Sequence, residues 1–168
     1  MKNIFCKSPL LIILMGVLIG FNTACKSDPV QTPEEKVEEA QNAFIASLVS
    51  NPPTKADISD RVKVYLLNNT SDFFGATVTL LDSLKIATYS PYWYRSGTNL
   101  LMTDLNADTA YHINNQPWLR QPIDGGGAIW TAPYFDAGGG NIWMKTRSVP
   151  VFVNGKIIAV ATTDLATK

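Results

Sequence analysis

Residues 132–165 read APYFDAGGGNIWMKTRSVPVFVNGKIIAVATTDL. The alternation of turn residues with apolar runs in this stretch decides the fold class. Pro133, Tyr134, Phe135 and Asp136 close one strand. Residues 137–141 then form a tight turn, whose three glycines accept positive φ without a Cβ clash. A long strand follows over 142–153, with a break expected at Pro150, where proline removes a ladder donor. Asn154-Gly155 is a strong two-residue hairpin signal. Residues 156–163 therefore return as the antiparallel partner, β-branched and nearly all apolar.

Working upstream, Thr32-Pro33-Glu34-Glu35 has the form of a helix start: a cap, proline at the first helical position and acids in the first turn. Val37, Ala40, Phe44, Ile45 and Leu48 recur at helical spacing, predicting a helix over 34–50 that stops before Asn51-Pro52-Pro53. A second helix is expected from about Lys55, with Ile58, Val62, Tyr65 and Leu66 on one face. Residues 73–81 read as a strand, Asp82-Ser83 as a turn and 85–90 as its partner. Residues 91–106 are expected to be irregular, with a short strand at 100–102. One helical turn is expected at 115–120 and a loop at 124–127. Helices followed by an antiparallel sheet make an α+β plan with N-terminal helices packed on a central sheet.

The N-terminus carries a second signal. Lys2 and Lys7 precede an apolar run over 10–21. That run is long enough for a signal-peptide core and shorter than the roughly 20 residues of a spanning helix. Asn22-Thr23-Ala24-Cys25 follows and resembles a lipobox, with Asn22 where an apolar residue is usual. The expected organisation is a lipoprotein signal peptide over 1–24, a lipidated Cys25 with a tether to residue 33, and one domain over 34–168. An ordinary secretory signal cleaved near Ala24 is the alternative. Cysteine usage favours acylation, because Cys6 is lost with the signal and Cys25 has no disulfide partner. No second apolar stretch of spanning length is present, so signalling is expected to go through a partner protein.

The chain has 14 basic and 14 acidic residues. Loss of Lys2 and Lys7 leaves twelve against fourteen, a formal net charge of −2. The basic residues are scattered singly, which excludes a nucleic-acid surface. His112 is the only histidine, so a histidine-rich metal site is ruled out and a Ser-His-Asp triad has no support. The two triple-glycine runs lack the Lys-Ser/Thr or the helix that a phosphate loop requires. Asp104, Asn106 and Asp108 lack the glycine and closing glutamate of a calcium loop. No enzyme activity, metal or cofactor is expected.

The stretch from Pro133 to Asp136 with Gly138–Gly140, then Ser148-Val149-Pro150-Val151, then Gly155-Lys156 with Val160 and Asp164-Leu165, resembles the last strands of Cache (extracellular PAS-like, or PDC) sensor domains. The resemblance covers about residues 62–165, most strongly in the second half. It implies a PAS-like sheet and a small-molecule pocket between that sheet and the mid-domain segment. On this chain it points to Tyr92, Tyr94, Arg95, Trp118, Tyr134 and Asp136 as ligand-binding residues. Arg95 and Asp136 are expected to reach one cavity from opposite sides, with Tyr94 and Trp118 as walls. A guanidinium suits a carboxylate, and aromatic faces bury area at low entropic cost. Core packing is the other reading of the same aromatics, and a structural ion pair that of Arg95.

In amino-acid-binding members, an arginine two residues before a Trp-Tyr pair holds the ligand carboxylate, and a later aspartate meets its amine. The matching positions here are Gln116, Trp118, Leu119 and Asp136. An α-amino acid held in that way is therefore not expected unless Arg95 or Arg120 substitutes, and a small organic acid or other metabolite stays open. The function so implied is that of an extracytoplasmic, small-molecule-binding sensor lipoprotein of the bacterial envelope, anchored to the membrane and acting through a receptor or envelope partner. A structural envelope lipoprotein, or a receptor remnant without a pocket, is the alternative.

Overall fold

The computed structural model describes residues 30–167; the expected signal segment and Cys25 lie outside them. Helix α1 (Pro33–Ser50) starts as its sequence predicts. The Thr32 hydroxyl accepts from Glu35 N (3.2 Å), and the Glu35 carboxylate accepts from Thr32 N (2.8 Å), a reciprocal cap that satisfies two orphan donors. Helix α2 (Ile58–Leu67) buries Ile58, Val62, Tyr65 and Leu66. These four were the apolar face expected from their spacing.

The sheet is antiparallel throughout. Its strands are β1 (Phe73–Leu81), β2 (Ala87–Tyr89), β3 (Pro91–Ser96), β4 (Asn99–Asp104), β5 (Ile129–Trp130), β6 (Tyr134–Phe135), β7 (Trp143–Val153) and β8 (Lys156–Ala166). The main path runs β4-β3-β1-β8-β7-β5, with β2 beside β1 and β6 beside β7. The β7–β8 hairpin turns at Asn154 and Gly155, both at positive φ (51° and 74°). That is the backbone of the two-residue turn their sequence signals.

Three expectations need correction. Residues 91–106 are not irregular: β3 and β4 form a hairpin turning at Gly97 (φ 59°). The run PYWYR hides its period because both faces of β3 are covered. Pro150 does not break β7. It pairs with Val160 beyond Ser148, where β5 stops, so no strand needs its missing N–H. The single turn expected at 115–120 is helix α3 (Pro117–Gly125), closed by Gly126 at φ 67°.

Strand alternation divides the sheet into two faces. One face carries Val78, Val151, Ala159 and Ala161 and is covered by α1 and α2. There Phe44 stacks on Tyr65 at 4.5 Å. Buried Gln41 on α1 donates to Ala161 O (3.0 Å) and accepts from Arg147 Nη1 of β7 (2.8 Å), while Asn42 Oδ1 accepts from Arg147 Nη2 (3.0 Å). The other face carries Tyr92 and Val160 and packs against α3 and the segment before it.

On β3 this alternation separates neighbours. Tyr92 and Tyr94 point to the α3 face, whereas Trp93 and Arg95 point to the α1/α2 face. Trp93 Nε1 donates to Ser59 Oγ on α2 (3.1 Å). Arg95 donates to Phe73 O (2.9 Å), Leu66 O (2.8 Å), Asn69 O (3.3 Å) and Thr70 O (3.3 Å). It satisfies carbonyls at the C-terminal end of α2 and in the turn into β1. Replacing Arg95 with alanine should lower the unfolding free energy by about 2 kcal/mol, as expected for charged hydrogen bonds lost to partly buried carbonyls. Denaturant titration measures this, and an unchanged midpoint would show that the clasp contributes nothing.

Candidate functional site

The α3 face holds a polar cluster inside an otherwise apolar layer. Asp136 follows β6 at the start of the glycine turn and is buried. The turn closes through Asn141 N to Asp136 O (2.9 Å) and Asp136 N to Ile142 O (3.0 Å). The Asp136 carboxylate accepts from Tyr111 Oη (2.9 Å) and Gly140 N (3.2 Å). A Cβ on Gly139 would lie 1.9 Å from Asp136 Oδ2, so only glycine lets the turn wrap the carboxylate this closely.

A second carboxylate, Asp164, stands on β8 and is also buried. Thr146 of β7 donates to its Oδ1 (2.7 Å). The Thr146 hydroxyl has one proton and gives it to Asp164, so Tyr134 Oη, 2.9 Å from Thr146 Oγ1, is the donor there. The site thus contains two parallel relays. Trp118 Nε1 donates to Tyr111 Oη (3.2 Å), which donates to Asp136. Tyr134 donates to Thr146, which donates to Asp164.

Tyr92 stands beside Asp164, and its hydroxyl is buried without a hydrogen-bond partner of good geometry. Gly75 makes room for this phenol, because a Cβ there would come within 2.4 Å of Tyr92 Oη. The hydroxyl lies close enough to Asp164 to oppose the rise of that carboxyl as a weak donor, and a buried donor without a well-aligned partner is costly.

Burial raises the Asp164 carboxyl to about 7, against the opposing hydrogen bond from Thr146, and the negative charge of Asp136 adds to the rise. Burial also raises Asp136, opposed by Tyr111 and Gly140 N. The phenols of Tyr92, Tyr111 and Tyr134 are pushed upward, first by burial and then by the neighbouring carboxylates. They remain protonated donors. The lining of Thr77, Tyr92, Leu105, Tyr111, Trp118, Tyr134, Asp136, Thr146, Thr162 and Asp164 contains no basic side chain.

The inner cavity measures about 10 Å³, room for roughly one water molecule. Trp118 and Tyr134 form part of its wall and also part of the wall of an adjoining, larger hollow of about 300 Å³, where Gln116 and Trp130 lie. Gln116 itself donates to Tyr111 O (2.7 Å).

Of the residues singled out in the sequence, Tyr92, Trp118, Tyr134 and Asp136 converge on this cavity. Tyr94 does not line it; it stacks on Tyr92 at 5.4 Å from the outer side. Arg95 does not reach it at all. The expectation that Arg95 and Asp136 meet is corrected by β3 alternation, which sends the guanidinium through to the opposite face. With no guanidinium present, an organic acid also loses the partner it was expected to meet. Tyr111, Thr146 and Asp164 were missed as site residues. Asp164 was legible as the one carboxylate in a largely apolar strand, two residues beyond Thr162 on the same face.

The extracellular domain of histidine kinase soHK1S-Z6 is 30% identical over 79% of this chain and 52% of its own, with a TM-score of 0.63. The ligand-binding domain of Campylobacter jejuni chemoreceptor Tlp3, solved with L-valine, is 18% identical over 79% of this chain and 54% of its own, at a TM-score of 0.55. The ligand-binding domain of the Pseudomonas aeruginosa PAO1 amino acid chemoreceptor PctC, solved with GABA, is 19% identical over 79% and 56%, at 0.52. The chain spans about half the length of these solved relatives. Among curated proteins none matches. Residues 58–168 match the model of the first PDC sensor domain of methyl-accepting chemotaxis protein-like receptors. With that match over the sheet and both relays, the chain belongs to the methyl-accepting chemotaxis protein-like PDC sensor domains.

Proposed function

We propose that this protein is a lipid-anchored, extracytoplasmic sensor that binds a small amine at the Asp136–Asp164 site and signals through a partner protein. The observation that carries the reading is the pairing of two buried carboxylates with no basic side chain among the residues lining their cavity. An ammonium group would supply the missing charge and favour the ionised form of both acids. The unpartnered Tyr92 hydroxyl gives a further contact, and Trp118 with the three phenols provides aromatic faces for a cation.

Relatives of this chain have been solved with amino acids and with GABA, ligands that combine an ammonium with a carboxylate. The family resemblance matches Gln116, which carries no charge, to the position where amino-acid-binding members hold the ligand carboxylate with an arginine. A ligand that keeps the ammonium and lacks the acid suits this site. Its apolar part would extend past Trp118 and Tyr134 into the hollow of about 300 Å³.

A thermal-shift comparison of methylammonium and ethanolamine with acetate and succinate tests the ligand class. An amine present at about 100 times its dissociation constant should add roughly 2.7 kcal/mol of stability, with no shift from the acids. Asp164→Asn preserves the Thr146 hydrogen bond and should abolish the amine shift. A domain stabilised by the acids instead would reverse the assignment. No shift with either class would favour the second reading, a structural envelope module, which the small inner cavity supports.

The anchor reading rests on the signal-like N-terminus and the lone mature cysteine. Cys25→Ser should move the protein from the membrane to the soluble fraction of the envelope. Equal retention of the variant on membranes would refute lipidation at Cys25.

A further inference from the structure

We infer that the end of the sheet bearing Phe135 and Trp143 rests in the interfacial layer of a zwitterionic phospholipid membrane. Both side chains are large, apolar and about half exposed, at 48% and 56%. They oppose each other in register on β6 and β7, with rings 6.1 Å apart at 63°. The pair forms one projecting aromatic surface, whereas scattered single exposed residues would need no explanation.

The position of this surface identifies the occupant. Trp143 lies two residues before Lys145 on β7, so the two share a face about 7 Å apart along the strand. Lys145 pairs with Glu34, the second residue of α1. Trp143 O also accepts from Thr167 N (2.8 Å), just past β8. The aromatic pair is therefore at the end of the domain where α1 begins. Cys25 and Pro33 are only eight positions apart, a reach of at most about 28 Å when fully extended. An acylated Cys25 would hold this end next to the bilayer; to that extent the inference rests on the lipid-anchor reading.

The surrounding charges favour neutral over anionic headgroups. Glu34 is matched by Lys145, and Lys36 lies 3.5 Å from Asp72. The Glu35 carboxylate is engaged by the α1 cap. No cluster of free cations adjoins the patch among the described residues. Tryptophan and phenylalanine are suited to the interfacial layer, where an aromatic body is desolvated while the indole N–H keeps a polar partner.

Coupling the Cys25 thiol of the mature chain to a maleimide phospholipid imposes the anchor chemically, so the surface is tested whether or not cells acylate Cys25. The coupled protein is placed in phosphatidylcholine vesicles with or without acyl chains brominated near the headgroup. Trp143 should be quenched by the bromines and its emission blue-shifted. Trp143→Phe should remove most of the quenched component while Trp93, Trp118 and Trp130 remain. Phe135→Ser should reduce quenching of Trp143 at least several-fold. Equal emission in brominated and plain vesicles would overturn the inference, as would undiminished quenching in Trp143→Phe. Self-association through this patch without lipid quenching would assign it to a second copy of the chain and would equally overturn it.

Discussion

Asp164 and Asp136 are carboxylates held inside the apolar layer between sheet and α3, and the rest of the site is arranged around that fact. Desolvation penalises both charges. The fold answers with hydroxyl, indole and amide donors and with no basic side chain lining the cavity. Thr146 serves Asp164, while Tyr111 and Gly140 N serve Asp136. Each side-chain donor is itself held by another, Tyr134 behind Thr146 and Trp118 behind Tyr111. Hydrogen bonds fix the carboxylates in place but leave their charge unneutralised, which is why burial still moves Asp164 toward neutrality. A core selected only for packing would gain stability from apolar residues at these positions. Their presence fits a cavity meant to receive positive charge.

The same strands tie this cavity to α1. On β7, Thr146 faces the cavity, and the next residue, Arg147, crosses to the other face and is held by Gln41 and Asn42 of α1. On β8, Asp164 faces the cavity while Thr163 meets Tyr65 of α2 (2.8 Å). A shift of β7 or β8 on ligand binding would therefore be felt directly by both helices, because adjacent residues of one strand serve the two faces. The wide α1–α2 layer is fastened to the sheet by a few specific polar contacts within an apolar interface.

Much of the architecture was legible in the sequence where local chemistry and global fold agree. The α1 cap, the apolar face of α2 and the Asn154-Gly155 hairpin all follow from short-range rules, and the structure contains each. The β3–β4 hairpin was obscured because Tyr92, Trp93 and Tyr94 are buried or half-buried on opposite faces, leaving no apolar–polar alternation to read. That one omission misplaced Arg95, since the side of the sheet a residue takes depends on knowing that it lies in a strand. Asp136 was found through the family resemblance, which lands on the carboxylate just before a glycine turn. Tyr111 and Thr146 carry no sequence signal of their own. They become site residues only because long-range packing brings a 3₁₀ turn and β7 against Asp136 and Asp164.

The central claim is that Asp164 is an acid poised by burial to meet a cation. It is tested most directly by following the carbon-13 shift of its carboxyl carbon from about pH 3 to about pH 9, with and without methylammonium. In the free protein the titration should centre near 7, because desolvation disfavours the ionised form. Methylammonium should move the midpoint downward, since a bound cation favours the carboxylate, and Asp164 should release its proton on binding near neutral pH. A midpoint at the ordinary carboxyl value near 4, or one near 7 that methylammonium leaves unchanged, would contradict the account.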